Sequence, residues 1–307
     1  MIRSIDNARA SEIRHSLIEF QNTVHPLVGI TDQIDREVFV AQLIESERRQ
    51  KYISKLIVRT PDGTNIHPHS NGFCPLNSAI FHLNTDNFDE ACWVTFLSTH
   101  FGRNKKTKWG LCRGFYGKLG TAPNWSWVEV IRNTNLVRPW VENNQDALRE
   151  FGWGNHRKHE HVAPENAKGI ADVIESYVDV FGDSGHNQIF AETLQGLNHP
   201  SERFEKLYQL FKKVTRIGRL GAFDHVMMLS KIGIVDSNPS TPYLSGATGP
   251  KVGASLLLTG EKNSKIDIAA AEATLMRFAN LIDVDGQVIE DAMCNWQKSP
   301  NLFKPFR

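Results

Sequence analysis

Residues 243–272 read YLSGATGPKVGASLLLTGEKNSKIDIAAAE. Two helices are legible here, each with its own start signal. The glycine-rich turn that runs from Gly246 through Thr248, Gly249, Pro250 and Lys251 to Gly253 opens into an apolar helix. Its glycines let the main chain approach a ligand closely and take positive φ. Pro250 suits a first helical turn, where an N–H would be unpaired in any case. The amides left free at such a start form an anion site. Sixteen residues past Lys251, Asp267 stands between two isoleucines, where an aspartate is a good N-cap for the next helix. A phosphate grip followed by a carboxylate suggests chemistry on a nucleic acid. The plain alternatives are an inter-helix turn and a helix cap. Neither the P-loop pattern GxxxxGK(S/T) nor the dinucleotide pattern GxGxxG is present.

Working outward, helical periodicity dominates. Ile13, Leu17 and Phe20, then Val38, Phe39, Leu43 and Ile44, make the first 55 or so residues helical. A Pro/Gly/His-rich stretch over 61–75 breaks the pattern and reads as a loop or short ribbon. Apolar residues return at helical spacing from Phe88 to Phe101, with Asn87 as N-cap and Glu90 as its capping-box partner. Residues 114–127 are rich in glycine and aromatics and predict irregular, packed structure. The polar, Gly/His-rich segment 143–165 predicts an exposed insertion. Further helices are predicted at 165–181, 187–197, 201–216 and 221–232, and β alternation is scarce. The expected fold class is mostly α.

Composition narrows the function. The chain has 307 residues, 40% hydrophobic and 22% charged, as in an ordinary globular protein. No apolar run approaches the ~20 residues of a membrane span. The polar N-terminus, MIRSIDNARASEIRH, lacks the core of a signal peptide, so a cytoplasmic location is expected. Cys74, Cys92, Cys112 and Cys294 form no CxxC pair, which argues against zinc knuckles and iron–sulfur clusters. His156, His159 and His161 fit no strong zinc signature, and no metal or cofactor is expected. The net charge of +1 is unlike that of a protein that coats DNA. Nucleic-acid binding would therefore need local patches. Two exist: Arg103, Lys105, Lys106 and Lys108, and Lys212, Lys213, Arg216 and Arg219; each also reads as a solvated face.

Taken jointly, these segments resemble the helix-hairpin-helix DNA glycosylase superfamily. LSGATGPKVGASLLL followed by KIDIAAAEATLMRF is similar to its hairpin, apolar helix and catalytic-aspartate helix. NFDEACWVTFLSTH (87–100) has the shape of its early pocket helix, with Thr99 and His100 where that superfamily has two glutamines. More narrowly, FDEACWVTFLSTHFGRN and WGLCRGFYGKLG look like the alpha-glutamyl/putrescinyl thymine pyrophosphorylase clade 3 branch, associated with hypermodified bases in phage DNA. Departures are plain: the hairpin reads GATG rather than GVG, Lys251 to Asp267 is short, and about 150 residues separate His100 from Lys251.

The resemblance implies a two-lobed, single glycosylase-like unit over 1–307. It would comprise an N-terminal helical extension (about 1–85), a helical lobe with the insertion (86–235), and the hairpin, aspartate helix and tail (236–307). It implies a monofunctional DNA N-glycosylase that flips a bulky, modified pyrimidine of double-stranded phage DNA and excises it to leave an abasic site, in antiphage defence. Asp267 would stabilise the developing sugar charge or activate water. Lys251 would be either a nucleophile or a phosphate contact. Gly246, Thr248, Gly249, Lys251 and Gly253 would grip DNA; Glu90, Trp93, Ser98, Thr99 and His100 would line the base pocket. The alternatives are a transferase, or pyrophosphorylase, attaching an amine or amino acid to an activated 5-hydroxymethyl pyrimidine in DNA, and a non-catalytic DNA-binding module.

Overall fold

The computed structural model describes residues 2–57, 63, 65–154, 160, 162, 169–182 and 184–305. Among these residues the protein is helical, with one isolated bridge, Asn104 to Lys108, and no strand. The helices are α1 (Asn7–Thr23), α2 (Gln33–Ile57), α3 (Pro75–Asn84), α4 (Phe88–Phe101), α5 (Gly110–Tyr116), α6 (Trp127–Arg132), α7 (Thr134–Arg149), α8 (Ile170–Phe181), α9 (Gly185–Leu194), α10 (Pro200–Phe211), α11 (Arg219–Lys231), α12 (Gly249–Thr259), α13 (Ile268–Leu281) and α14 (Gly286–Trp296). The mostly α expectation holds.

Helix α3 follows the loop read over 61–75, in a stretch to which the sequence assigned no element; Pro75 opens it at a position that needs no N–H donor. Two local expectations are revised. Residues 143–149 close helix α7 rather than begin an irregular segment. The capping box at α4 does not form. Asn87 makes no side-chain cap bond, and the Glu90 carboxylate accepts from Tyr116 and Trp127 instead of from the Asn87 N–H. Of the segment 143–165, residues 155–159, 161 and 163–165 lie outside the described residues, as do His156, His159 and His161.

The chain divides into two compact units. One comprises Met1–Ile53 and Asn238–Arg307, the other Ser54–Ser237. In the first unit, the two ends of the chain build a common core. Ile13, Leu17, Phe20, Phe39 and Leu43 pack with Leu257, Leu275, Phe278, Met293 and Trp296. Phe20 meets Phe278 edge-on at 5.4 Å, and Phe39 meets Trp296 at 5.1 Å. Arg9 ties the segments further, donating to Glu47 at 2.6 Å and to the Ile282 carbonyl at 2.5 Å. Helices α12 and α14 approach at backbone range. A Cβ on Gly253 would lie 2.4 Å from the Met293 carbonyl oxygen, and one on Gly249 would lie 2.7 Å from Cys294 Sγ. A Cβ at Gly253 would force the two backbones apart, and one at Gly249 would displace the Cys294 thiol.

The second unit is organised on α4, which packs against α3, α5, α6, α9 and α11. Nearly every α4 side chain from Glu90 onward is buried. That explains why its apolar residues surround the helix rather than forming one stripe. A dense aromatic cluster of Trp93, Phe96, Trp127, Tyr177, Phe181 and His186 fills the space around it.

Candidate functional site

In the first unit, the stretch 243–272 forms an irregular turn, an exposed helix start and a capped second helix. Gly246 sits at φ +71 with open space around it, so the left-handed conformation, not crowding, calls for glycine. The turn is entered from the irregular residues 232–248 rather than directly from a helix. No side chain caps α12, whose N-cap Thr248 is exposed, as is Lys251 in its first turn. Pro250, also in the first turn, brings no N–H of its own. The start of α12 therefore offers main-chain amides and one cation to solvent.

Asp267 begins α13. Its Oδ1 accepts from the Ala270 N–H at 3.0 Å, and the residue is exposed. Neither Lys251 nor Asp267 has an ion-pair partner among the described residues. Two residues that sequence reasoning did not single out hold this pair of helix starts in place. The Leu244 N–H donates to Glu272 Oε1 at 2.5 Å, so a carboxylate of α13 anchors the glycine turn. Ser255 Oγ, on α12, lies 2.7 Å from the Glu261 carbonyl and 3.1 Å from that of Ser264, which pins the loop leading to Asp267. Glu272 closes the stretch 243–272, but a glutamate five residues into a helix carries no signal of a tertiary bond.

Gly253 faces α14 rather than solvent, and Gly249 is in contact with Cys294. Of the five turn residues, Gly246, Thr248 and Lys251 are the exposed ones.

In the second unit, Glu90 is buried and fully engaged. Its Oε1 accepts from the Tyr116 hydroxyl at 2.6 Å and its Oε2 from the Trp127 N–H at 2.7 Å. Burial pushes its carboxyl up, while the two hydrogen bonds work against that rise. Trp93 is fully buried, and its indole N–H donates to the Trp125 carbonyl at 2.8 Å. Ser98 is buried and bonded to the Thr95 carbonyl. His100 is buried with its ring parallel to that of Phe96 and edge-on to Trp153. Thr99 alone of these five is half-buried; its hydroxyl lies 3.0 Å from the Thr95 carbonyl and 3.4 Å from His225 Nδ1.

Beside Glu90 stands a relay that sequence reasoning missed. Asp89 Oδ1 accepts from the His186 N–H at 2.6 Å and lies 3.0 Å from His186 Nδ1, while Nε2 lies 2.7 Å from the Tyr177 hydroxyl. The carboxylate can only accept, so Nδ1 carries the proton and Nε2 accepts from Tyr177. Hydrogen bonding to His186 lowers the Asp89 carboxyl, and burial lowers the His186 imidazole, which stays neutral. Gly185 makes the approach possible: at φ +70, a Cβ there would lie 2.8 Å from Asp89 Oδ2. Residues 97 positions apart carry no sequence signal of this pairing. Among the described residues no group of three His, Cys, Asp or Glu side chains could hold a metal ion. No helix of the described residues is long and apolar enough to cross a membrane.

Fold and side chains together define a helical protein with an exposed, uncapped helix start and an exposed carboxylate at the next one. The model of the family described as alpha-glutamyl/putrescinyl thymine pyrophosphorylase clade 3 matches residues 34–307, and the chain belongs to that family. No curated protein and no solved structure matches it significantly. Membership corrects the expectation of a DNA N-glycosylase. The family is one of pyrophosphorylases for modified thymine, which are transferases, not hydrolases of N-glycosyl bonds. The physical reason for the misreading is that a glycine turn, a helix start and a capping aspartate would suit a phosphate whatever reaction follows. They do not report which bond breaks.

Proposed function

We propose that the protein is a DNA-modifying transferase that joins an amine or amino acid to an activated 5-hydroxymethyl pyrimidine and releases pyrophosphate. The observation that carries this reading is the family match over 34–307, whose name specifies thymine bearing glutamyl or putrescinyl groups. In the reaction, the C–O bond between the exocyclic CH2 and the pyrophosphoryl group breaks as a C–N bond to the amine forms. The electron pair leaves with pyrophosphate, and the amine loses a proton.

Two charges must be handled, and the first unit holds a candidate group for each. The pyrophosphate gains charge as it leaves; the free amides of α12 and the Lys251 ammonium suit that anion. The proton shed by the amine needs an acceptor; Asp267 is exposed and has one oxygen committed to its cap bond. Gly246, Thr248 and Gly249 place the turn amides, as one half of a helix-hairpin-helix type grip on double-stranded DNA. Gly253 serves the same element by allowing α14 to support it. On α4, in the second unit, the half-buried Thr99 is the accessible member of the candidate base-recognition set, whose other members, Ser98, His100, Trp93 and Glu90, are buried. Hypermodified DNA of the phage type is the substrate class.

The test uses DNA carrying pyrophosphorylated 5-hydroxymethyluracil, incubated with the protein and either putrescine or glutamate. Pyrophosphate release that depends on the amine is expected. Absence of release with every amine tried, while the DNA is bound, would remove the reading.

A further inference from the structure

We infer that the loop Arg103–Lys108, between α4 and α5, is a docking surface for the DNA backbone. This rests on the reading of DNA as substrate. From Ala91 to Val128 the chain contains no Asp or Glu, yet it carries Arg103, Lys105, Lys106, Lys108, Arg113 and Lys118. In a chain of net charge +1, this is a local departure. Arg113 is engaged with Asn71 at 2.6 Å, and Lys118 lies 3.9 Å from Glu129. The four loop cations are all exposed, and none has an ion-pair partner among the described residues. By contrast, Arg9, Arg14, Arg138 and Arg216 each bond a carboxylate.

The loop that carries them is held rigidly. The Asn104 N–H donates to the Lys108 carbonyl at 2.8 Å. Asn104 Oδ1 accepts from the N–H groups of Lys106 and Thr107, and its Nδ2 donates to the Trp153 carbonyl at 2.8 Å. Gly154 braces the base of the loop, its N–H donating to the Phe101 carbonyl at 2.8 Å. A Cβ on Gly154 would lie 2.7 Å from Gly102 Cα, and one on Gly152 2.4 Å from Asn104 Nδ2. Lys108 itself has φ 55, a conformation that glycine or asparagine takes more easily. Its ammonium folds back to the Lys105 carbonyl at 3.0 Å, which keeps the charge beside its neighbours.

Four exposed cations fall within six residues of the chain. They match an extended polyanion, whose phosphates each cation neutralises with release of counterions. Pre-ordering of the loop lowers the entropy cost of binding.

The experiment measures DNA affinity against salt for the wild type and for R103Q/K105Q/K106Q/K108Q. These substitutions leave Asn104 and its bonds in place. Removing one cation from a phosphate lowers the salt slope by about 0.9, so a fall of roughly 2–4 is expected, with about 10- to 100-fold weaker binding near 0.15 M salt. K105R/K106R/K108R, which keeps the charge, should bind as the wild type does. An unchanged slope in the glutamine variant overturns the inference, as does a wild type that binds anionic vesicles but not DNA. Pyrophosphate release at saturating DNA separates the two claims. Release with an unchanged slope removes the loop and leaves the transferase; a reduced slope without any release does the reverse.

Discussion

At the scale of single residues, the informative groups are carboxylates in contrasting settings. Asp267 is exposed and caps α13. Asparagine caps about as well as aspartate, so Asp267→Asn should leave stability within a few tenths of a kcal/mol. If Asp267 takes the amine proton, the same change should slow pyrophosphate release by about 10²-fold or more. A kinetic assay beside a denaturant melt checks both, and full activity in the variant removes Asp267 from the chemistry. Glu90 is the opposite case. Glu90→Ala strands the Tyr116 hydroxyl and the Trp127 N–H, and should cost about 2–4 kcal/mol in a urea melt. The relay predicts a pH dependence. His186 is held below its ordinary 6.5, so the unfolded chain binds the extra proton, and stability is lost as pH falls below 6.5. Asp89, held below 3.8, adds a second loss as pH drops beneath that value, whereas Glu90, raised above 4.5, acts in the opposite sense around its own titration. Melts between pH 7.5 and 5 should show a shallower decline for His186→Gln than for the wild type. Equal slopes would mean that His186 does not titrate in that window.

At the scale of elements, two glycines separate conformation from packing. Gly246→Ala meets no neighbour but must hold φ +71, a cost of about 1 kcal/mol. Gly253→Ala drives a Cβ into the Met293 carbonyl and should cost about 1–3 kcal/mol by separating α12 from α14. Thermal melts of the two variants check this order. Most helices were legible because apolar periodicity and start signals are local: Asp267 before Ile268, Pro200 at the start of α10, and the apolar run of α4 all mark themselves. Helix α3 escaped because the Pro/Gly/His-rich run before it masks its start. The Glu90 capping box failed because a local pattern was outweighed by two buried donors from distant chain positions. Glu272 and Ser255 were illegible for the same reason: their bonds are tertiary.

At the scale of the whole molecule, the sequence shows that faces are apolar but not what covers them. Nothing in Phe20 or Phe39 announces Phe278 and Trp296 as partners, so only the structure reveals that the chain's two ends join in one unit. Function follows the same rule. The turn and aspartate were readable as a candidate phosphate grip, but nothing local in them says which bond breaks; the family match is what turned the reading from excision to transfer. The most direct test of the proposed transfer is mass spectrometry of nucleosides from DNA containing pyrophosphorylated 5-hydroxymethyluracil, after incubation with the protein and an amine. The expected product is a nucleoside still attached to deoxyribose, in which the amine has replaced the pyrophosphoryl group. An unchanged nucleoside, or a free base with an abasic site left in the strand, would contradict it.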